Sequence, residues 1–303
     1  MKRQIVAVGL YGMSLLLHTE KFPCAEQTIS GEMLALEPGW KGFNQAVSAA
    51  RNGGQTTFIT AVGDDIFGKQ FPGMCEKYGL RGFCARLPES KTAAAAVLSD
   101  ALGESRVIVA QGACMDVRAE CFDLRTLPHN AIWLLQHEMP REVNLAAARM
   151  AKQTGGTVIL NPAPARPIGK ELLALTDHLI PNWGEALAIT GLEATASPQQ
   201  VAGKLHALGV GNVLITMGGR GVWLSQPEAA GLHIPACNVH VADTTGAGDT
   251  FCGAFAACLA KGESVQQAAR YANCASGLSV TRKGVMEAIP FEDEVRKFIR
   301  GRL

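Results

Sequence analysis

The chain has 303 residues, 48% of them apolar and 18% charged, with 28 Lys+Arg against 27 Asp+Glu for a formal net charge of +1. Such a chain can bury a large core and is too apolar to stay disordered, and its length suits two domains or one large α/β unit with an appendage. The charge balance lacks the broad basic footprint of a nucleic-acid binder, and no apolar run reaches the ~18 residues of a membrane span.

Residues 4–9, Gln-Ile-Val-Ala-Val-Gly, form a short β-branched run ending in Gly, as expected of a buried strand that delivers its C-terminal end to a site. Similar runs recur at 56–60, 131–135, 157–160, 178–180 and 212–216. Helix-length segments lie between or after them at 42–52, 66–79, 140–154, 168–176 and 198–208, the last with Ser197 as N-cap and Pro198 at the first helical position. Three more helices are expected at 247–261, 264–280 and 291–300. This alternation predicts an α/β fold with a mostly parallel central sheet and helices on both faces. Residues 13–37 and 91–111 break the rhythm with β-rich pieces such as Ala94–Ser99 and Ser105–Val109. We expect them to pair as a small discontinuous β lid over a large domain made of 1–12, 38–90 and 112–303.

Nine cysteines, scattered from Cys24 to Cys274 without a C-x-x-C pair, read as reduced, mostly buried thiols rather than a disulfide framework or a zinc site. With no sequon and too short an apolar start for a signal peptide, the expected address is the cytoplasm.

The most informative segment is Asp243-Thr244-Thr245-Gly246-Ala247-Gly248-Asp249-Thr250-Phe251, followed by a small, apolar run through Cys258. Glycines at a helix N-terminus let backbone N–H groups converge on an anion, and the helix dipole favours negative charge there. Asp249 on the first turn is placed to take a proton from an attacking hydroxyl. The plainer alternative is a helix N-cap. No G-x-x-x-x-G-K-[ST] occurs, Gly9 and Gly12 do not make G-x-G-x-x-G, and His137-Glu138 does not continue as H-E-x-x-H. A Walker NTPase, a dinucleotide-binding domain and a zinc hydrolase are disfavoured accordingly.

The Asp243–Phe251 string resembles the C-terminal signature of the ribokinase-like (PfkB) sugar kinases, and Gly39–Ala46 with Gly63–Gly68 resembles their N-terminal one. Asn161–Ala165, Pro181–Glu185 and Thr216–Trp223 agree in order, and Val280-Thr281-Arg282-Lys283-Gly284 is similar to the tail of bacterial ribokinases. The resemblance implies a cytoplasmic ATP-dependent kinase acting on a small sugar. Asp249 would be its base, and the N–H groups of Gly246, Ala247 and Gly248 its anion hole. It implies Asn182 and Glu185 at the phosphates and Mg²⁺, the latter through water, with Glu185 otherwise an exposed helix residue. Thr216, Gly218, Gly219 and Gly221, with Gly248 and Asn273, would hold the nucleotide. Lys41, Gly42, Asn44 and Glu138 would face the sugar, unless Glu138 is a surface carboxylate. Asp243 and Thr245, with backbone oxygens of Ser279, Arg282 and Gly284, would hold an activating K⁺. A homodimer through the lid is also implied.

Four residues depart from the pattern. Gly12 and Ser14 stand where ribokinases carry an Asn-x-Asp that grips ring hydroxyls, and Trp40 replaces a glycine. Ala288 stands where a Ser often helps near the cation. A charged acceptor's hydrogen bond is worth about 1.5–3 kcal/mol, so the acceptor remains open among ribose, deoxyribose, another small sugar and a nucleoside. A non-catalytic sugar- or nucleotide-binding regulator is the remaining alternative.

Overall fold

A computed structural model describes residues 2–227 and 229–301, so Met1, Glu228, Arg302 and Leu303, all within the expected large domain, lie outside the described residues. The strands are β1 (Ile5–Val8), β2 (Gly12–Thr19), β3 (Glu32–Gly39), β4 (Thr56–Gly63), β5 (Arg81–Leu87), β6 (Ala93–Asp100), β7 (Ser105–Ala110), β8 (Ile132–Gln136), β9 (Thr157–Asn161), β10 (His178–Leu179), β11 (Asn212–Thr216), β12 (Val222–Ser225) and β13 (Leu232–Ile234). The helices are α1 (Lys41–Arg51), α2 (Ile66–Lys77), α3 (Ala113–Asp116), α4 (Arg141–Gln153), α5 (Lys170–Ala174), α6 (Trp183–Thr190), α7 (Pro198–Ala207), α8 (Ala247–Ala260), α9 (Val265–Ser279) and α10 (Glu292–Arg300).

Nine strands form the main sheet in the order β13-β12-β11-β10-β9-β8-β1-β4-β5. It is parallel from β5 to β11, and β12 and β13 add an antiparallel end. Helices on both faces explain why β1, β4 and β8 are buried at every position. Along β1, Ile5 and Ala7 enter a core with Phe43, Phe251 and Phe255, while Val6 and Val8 enter a second core with Val143, Ala147 and Leu205. On β8, Ile132 and Leu134 divide from Trp133 and Leu135 in the same way.

A separate four-stranded sheet, β3-β2-β6-β7, assembles from both expected lid segments. Its β2/β3 and β6/β7 pairs are antiparallel hairpin-like ribbons, joined by a parallel β2/β6 seam in which Gly12 meets Ala93.

The arrangement of α1 on α8 positions the site. Gly253 allows it: a Cβ there would collide with the Gln45 carbonyl oxygen and stand 2.5 Å from Ser48 Cβ. Ser48 Oγ then donates to the Thr250 carbonyl at 2.8 Å, locking the two helices in register. At its other end α1 leans on β1, where a Cβ on Gly42 would stand 2.5 Å from Gly9 Cα. Small residues let backbones approach this closely, and that approach brings the N-terminal turns of α1 and α8 side by side.

Candidate active site

Asp249 is the third residue of α8 and is buried. Its partners are not the N–H groups of its own helix. They are two side-chain amides from the facing α1, Asn44 Nδ2 on Oδ2 and Gln45 Nε2 on Oδ1, both at 2.9 Å. Gly246, at φ +74°, fills the N-cap position without a side-chain cap, so the N-cap reading of Asp249 does not hold. The first-turn N–H groups of α8 have no intrahelical acceptors. That of Ala247 reaches the Thr244 carbonyl at 3.2 Å. Gly246, Ala247 and Gly248 all line one large cavity.

Around Asp249 the charges converge. Lys41 is held above the usual lysine range by Asp249 first, against the cost of burial, and then by Glu138 and Glu185. Glu138 is buried rather than superficial and accepts the Gly42 N–H at 3.2 Å. Burial and the Asp249 charge push its carboxyl up to about 8, against the pull of Lys41 and the Gly42 and Lys41 N–H groups. Glu185 is buried too, not an exposed helix residue. Burial raises it, with the Asn182 N–H and Lys41 opposing. Asn182 and Glu185 open α6 as a capping box: Glu185 N–H donates to Asn182 Oδ1, and Asn182 N–H to Glu185 Oε2, each at 2.9 Å.

The cavity beside these groups has a volume of about 830 Å³ and includes Lys41, Asn182, Glu185 and Asp249 in its wall. Thr216, Gly218, Gly219, Gly221, Gly248 and Asn273 line it as well. Thr216 N–H donates to the Pro181 carbonyl at 2.9 Å, tying the end of β11 to the start of α6. Asn273 Nδ2 donates to the Pro235 carbonyl at 2.9 Å. The family model described as pfkB family carbohydrate kinase matches residues 2–292. The chain belongs to the pfkB family.

Within this family the chain is similar over nearly its whole length to proteins named ribokinase. That of Haemophilus influenzae is 32% identical over 99% of both chains. The crystal structure of the Thermotoga maritima ribokinase superposes with a TM-score of 0.90 at 34% identity, covering 98% of this chain and 99% of the other. The structure of Arabidopsis thaliana ribokinase complexed with ribose and ATP gives 0.89 at 31% identity, covering 99% of each. The protein is therefore a ribokinase-like phosphotransferase with an alcohol acceptor, and its α/β architecture with a small second sheet is that of ribokinase structures.

This pfkB kinase departs from the ribokinase pattern at the junction of lid and body. A Cβ on Gly12 would collide with the Ala93 carbonyl and stand 2.7 Å from Trp40 Nε1, so position 12 admits no side chain here. Ser14 lies opposite Glu37 across the β2/β3 ladder, and cross-strand partners share a face of the sheet. A carboxylate thus stands across the ladder from Ser14. Burial and the nearby Glu287 raise Glu37 above the ordinary carboxylate range.

In the segment expected to hold K⁺, Asp243 Oδ1 accepts from Thr245 N–H at 2.9 Å and Thr245 Oγ1 at 2.7 Å, and Oδ2 from Gly284 N–H at 3.1 Å. Ser279 carbonyl accepts the Arg282 N–H at 3.1 Å, and Ala288 is buried. Protein hydrogen bonds fasten the 243–246 turn to the 280–284 turn. Sequence reasoning named no role for Gln45, Gln136 or Asn161. These buried amides lie behind Asp249. The signature position of Gln45, next to Asn44, and the place of Asn161 at the head of the Asn161–Ala165 segment are the signals that pointed toward them.

Proposed function

We propose that the enzyme transfers the γ-phosphoryl group of ATP to the primary hydroxyl of ribose or a closely related small sugar, with Asp249 as general base. The observation that carries this reading is a buried carboxylate held on both oxygens by amides, at the N-terminus of a helix that opens on the large cavity. Beside it, Asn44 Oδ1 is buried without a partner among the described residues, an acceptor suited to a sugar hydroxyl. The relatives named ribokinase and the neighbour complexed with ribose and ATP support the choice of substrates.

The acceptor oxygen gives its proton to Asp249 as it bonds to the γ-phosphorus, and the bond from that phosphorus to the β–γ bridging oxygen breaks to release ADP. N–H groups of Gly246, Ala247 and Gly248 stabilise the charge on the moving group, and Lys41 offsets that of the surrounding carboxylates. Asn182, Thr216, Gly218, Gly219, Gly221 and Asn273 hold the nucleotide, while Gly42, Asn44 and Glu138, beside Gly12 and Ser14, hold the acceptor. No three His, Cys, Asp or Glu side chains cluster as a metal cage among the described residues, which suits a cation held mainly by phosphate and water. Glu185 would hold Mg²⁺ through water, and the ion would neutralise phosphate charge. Asp243, Thr245 and carbonyls of Ser279, Arg282 and Gly284 would hold K⁺, reinforcing the turn that carries the anion hole. The β3-β2-β6-β7 sheet closes over the acceptor to exclude water, and its apolar outer residues pair two copies into a dimer.

A second reading keeps the chemistry and changes the acceptor, favoured by Gly12, Ser14 and Trp40. The test is ADP release with Mg²⁺ and ATP, in potassium and in sodium salts, across D-ribose, 2-deoxyribose, other small sugars and nucleosides. We expect D-ribose or a near relative to lead, with higher rates in potassium. Asp249→Asn should lower turnover by at least about two decades while ATP binding stays intact. Near-wild-type turnover in that variant removes Asp249 from the role, and silence across the panel moves a binding regulator to first place.

A further inference from the structure

The two oxygens of Asp249 are held by consecutive residues of α1, and the two amides differ in what lies behind them. Asn44 offers Nδ2 to Oδ2, while its own Oδ1 is buried with no partner among the described residues. Gln45 is fully engaged. Its Nε2 gives one hydrogen to Asp249 Oδ1 at 2.9 Å and the other to Asn161 Oδ1 at 3.0 Å, and its Oε1 accepts from Gln136 Nε2 at 2.7 Å.

The members behind Gln45 are anchored in turn. Asn161 Nδ2 donates to the Ile180 carbonyl at 2.7 Å, and the Gln136 carbonyl accepts Asn144 Nδ2 at 2.7 Å. Gln45 and Gln136 have no solvent exposure, and Asn144 has 1%. A primary amide has two donor hydrogens and one acceptor oxygen. With all three of these used by Gln45, turning it would leave buried polar groups unpaired, at a cost that fixes its orientation, even though Gln136 Oε1 and Asn144 Oδ1 behind it have no partner among the described residues. Asn44 is not fixed in this way, because turning it can satisfy an oxygen that now has no partner.

We propose that Gln45 is the positioning residue for Asp249. It anchors Oδ1 permanently and leaves Oδ2 to the acceptor hydroxyl once Asn44 turns from the carboxylate to the sugar. Asn161 also lines the nucleotide cavity, so Gln45 fastens the base to the wall against which the phosphates lie. Base and phosphoryl donor then keep one spacing whichever acceptor is bound. The inference rests on the reading of Asp249 as general base, and its purpose is geometric: a displacement near 1 Å at the reacting atoms costs on the order of 100-fold in rate.

The test is a double-mutant cycle between positions 45 and 249 in the full chain. Gln45→Met removes the amide at similar length, and Gln45→Glu, an isostere that keeps an oxygen for Gln136, guards against a variant that fails to fold. Either should lower kcat about 10- to 100-fold while the KM values for ATP and for the leading acceptor stay within about three-fold. In the Asp249→Asn background the same change should add less than about three-fold, because a residue acting through Asp249 has nothing left to position. An equal loss in both backgrounds would make Gln45 a merely structural residue. Unchanged kcat in the Gln45 variants, beside a severe loss in Asp249→Asn, would overturn the proposal and leave the base intact. Full turnover in Asp249→Asn would remove the base reading, and this inference with it.

Discussion

Trp40 has φ +83° and ψ 150°, a backbone conformation suited to glycine. Its indole Nε1 is buried with no partner among the described residues. A strained backbone of this kind costs about 1–3 kcal/mol, and an unmade buried hydrogen bond about as much again. Both penalties sit directly before Lys41 and Gly42, so Trp40 is the residue most suited to tune the acceptor. Trp40→Gly relieves the strain and opens space beside Gly12. We expect the kcat/KM ratio between D-ribose and 2-deoxyribose to change by about ten-fold, the scale of one buried polar contact, with the KM for ATP unmoved. An unchanged ratio would mean that the indole only packs.

Glu138 makes a prediction of a different kind. Its folded-state value of about 8 lies above the ~4.3 of an exposed glutamate, so the folded protein binds this proton more tightly than the unfolded chain does. The corresponding stability is fully present below about pH 4 and lost as pH rises through 8. Melting temperatures should therefore fall from pH 5 to 8.5 more steeply in the wild type than in Glu138→Gln. Parallel curves would show that Lys41 compensates the carboxylate throughout. Asp249 was legible in the sequence because a carboxylate inside a glycine-rich turn is chemically conspicuous. The amide of Gln45 was not, since Gln45 is 204 positions away and meets it only when α1 lies on α8.

At the scale of elements, the expected strands at 131–135, 157–160 and 212–216 appear within a residue as β8, β9 and β11. Strands covered on both faces have no reason to alternate, and a short β-branched run is their whole signal. The strands not expected lie at the margins. β5 is an edge strand with Arg81, Gly82 and Phe83 exposed, and β12 and β13 are short antiparallel additions. No helix was expected over α6, because Asn182 and Glu185 were read as chemistry; they are also its capping box. The contact of α1 with α8 yields a stability test. Gly253→Ala must push α1 off α8, and overpacking of this sort costs about 1–3 kcal/mol. Its melting temperature should fall by several degrees and kcat with it, as Asn44 and Gln45 withdraw from Asp249. A variant that melts earlier yet keeps its kcat would separate the helix contact from the base.

At the scale of the molecule, the small sheet exposes Met33, Leu34 and Leu36 on β3 and Val107, Ile108 and Val109 on β7, with Ile108 69% exposed. Apolar residues on two edge strands call for a covering partner, and a second copy of the sheet supplies matching edges. Light scattering at micromolar concentration should show a dimer in the wild type and a monomer in Ile108→Glu. A wild-type monomer would leave the face for another role. β-rich pieces at 94–99 and 105–109 announced this sheet, although pairing between distant segments, β2 with β6, is not written in either one.

The junction of the two sheets has a mechanical consequence. β3 ends at Gly39 and α1 begins at Lys41, so a single residue transmits any tilt of the outer sheet to the helix that carries Asn44 and Gln45. Such a joint works as a crank rather than a hinge. On the mechanism proposed above, the flap then sets where Asn44 meets the sugar, while Gln45 keeps Asp249 in place.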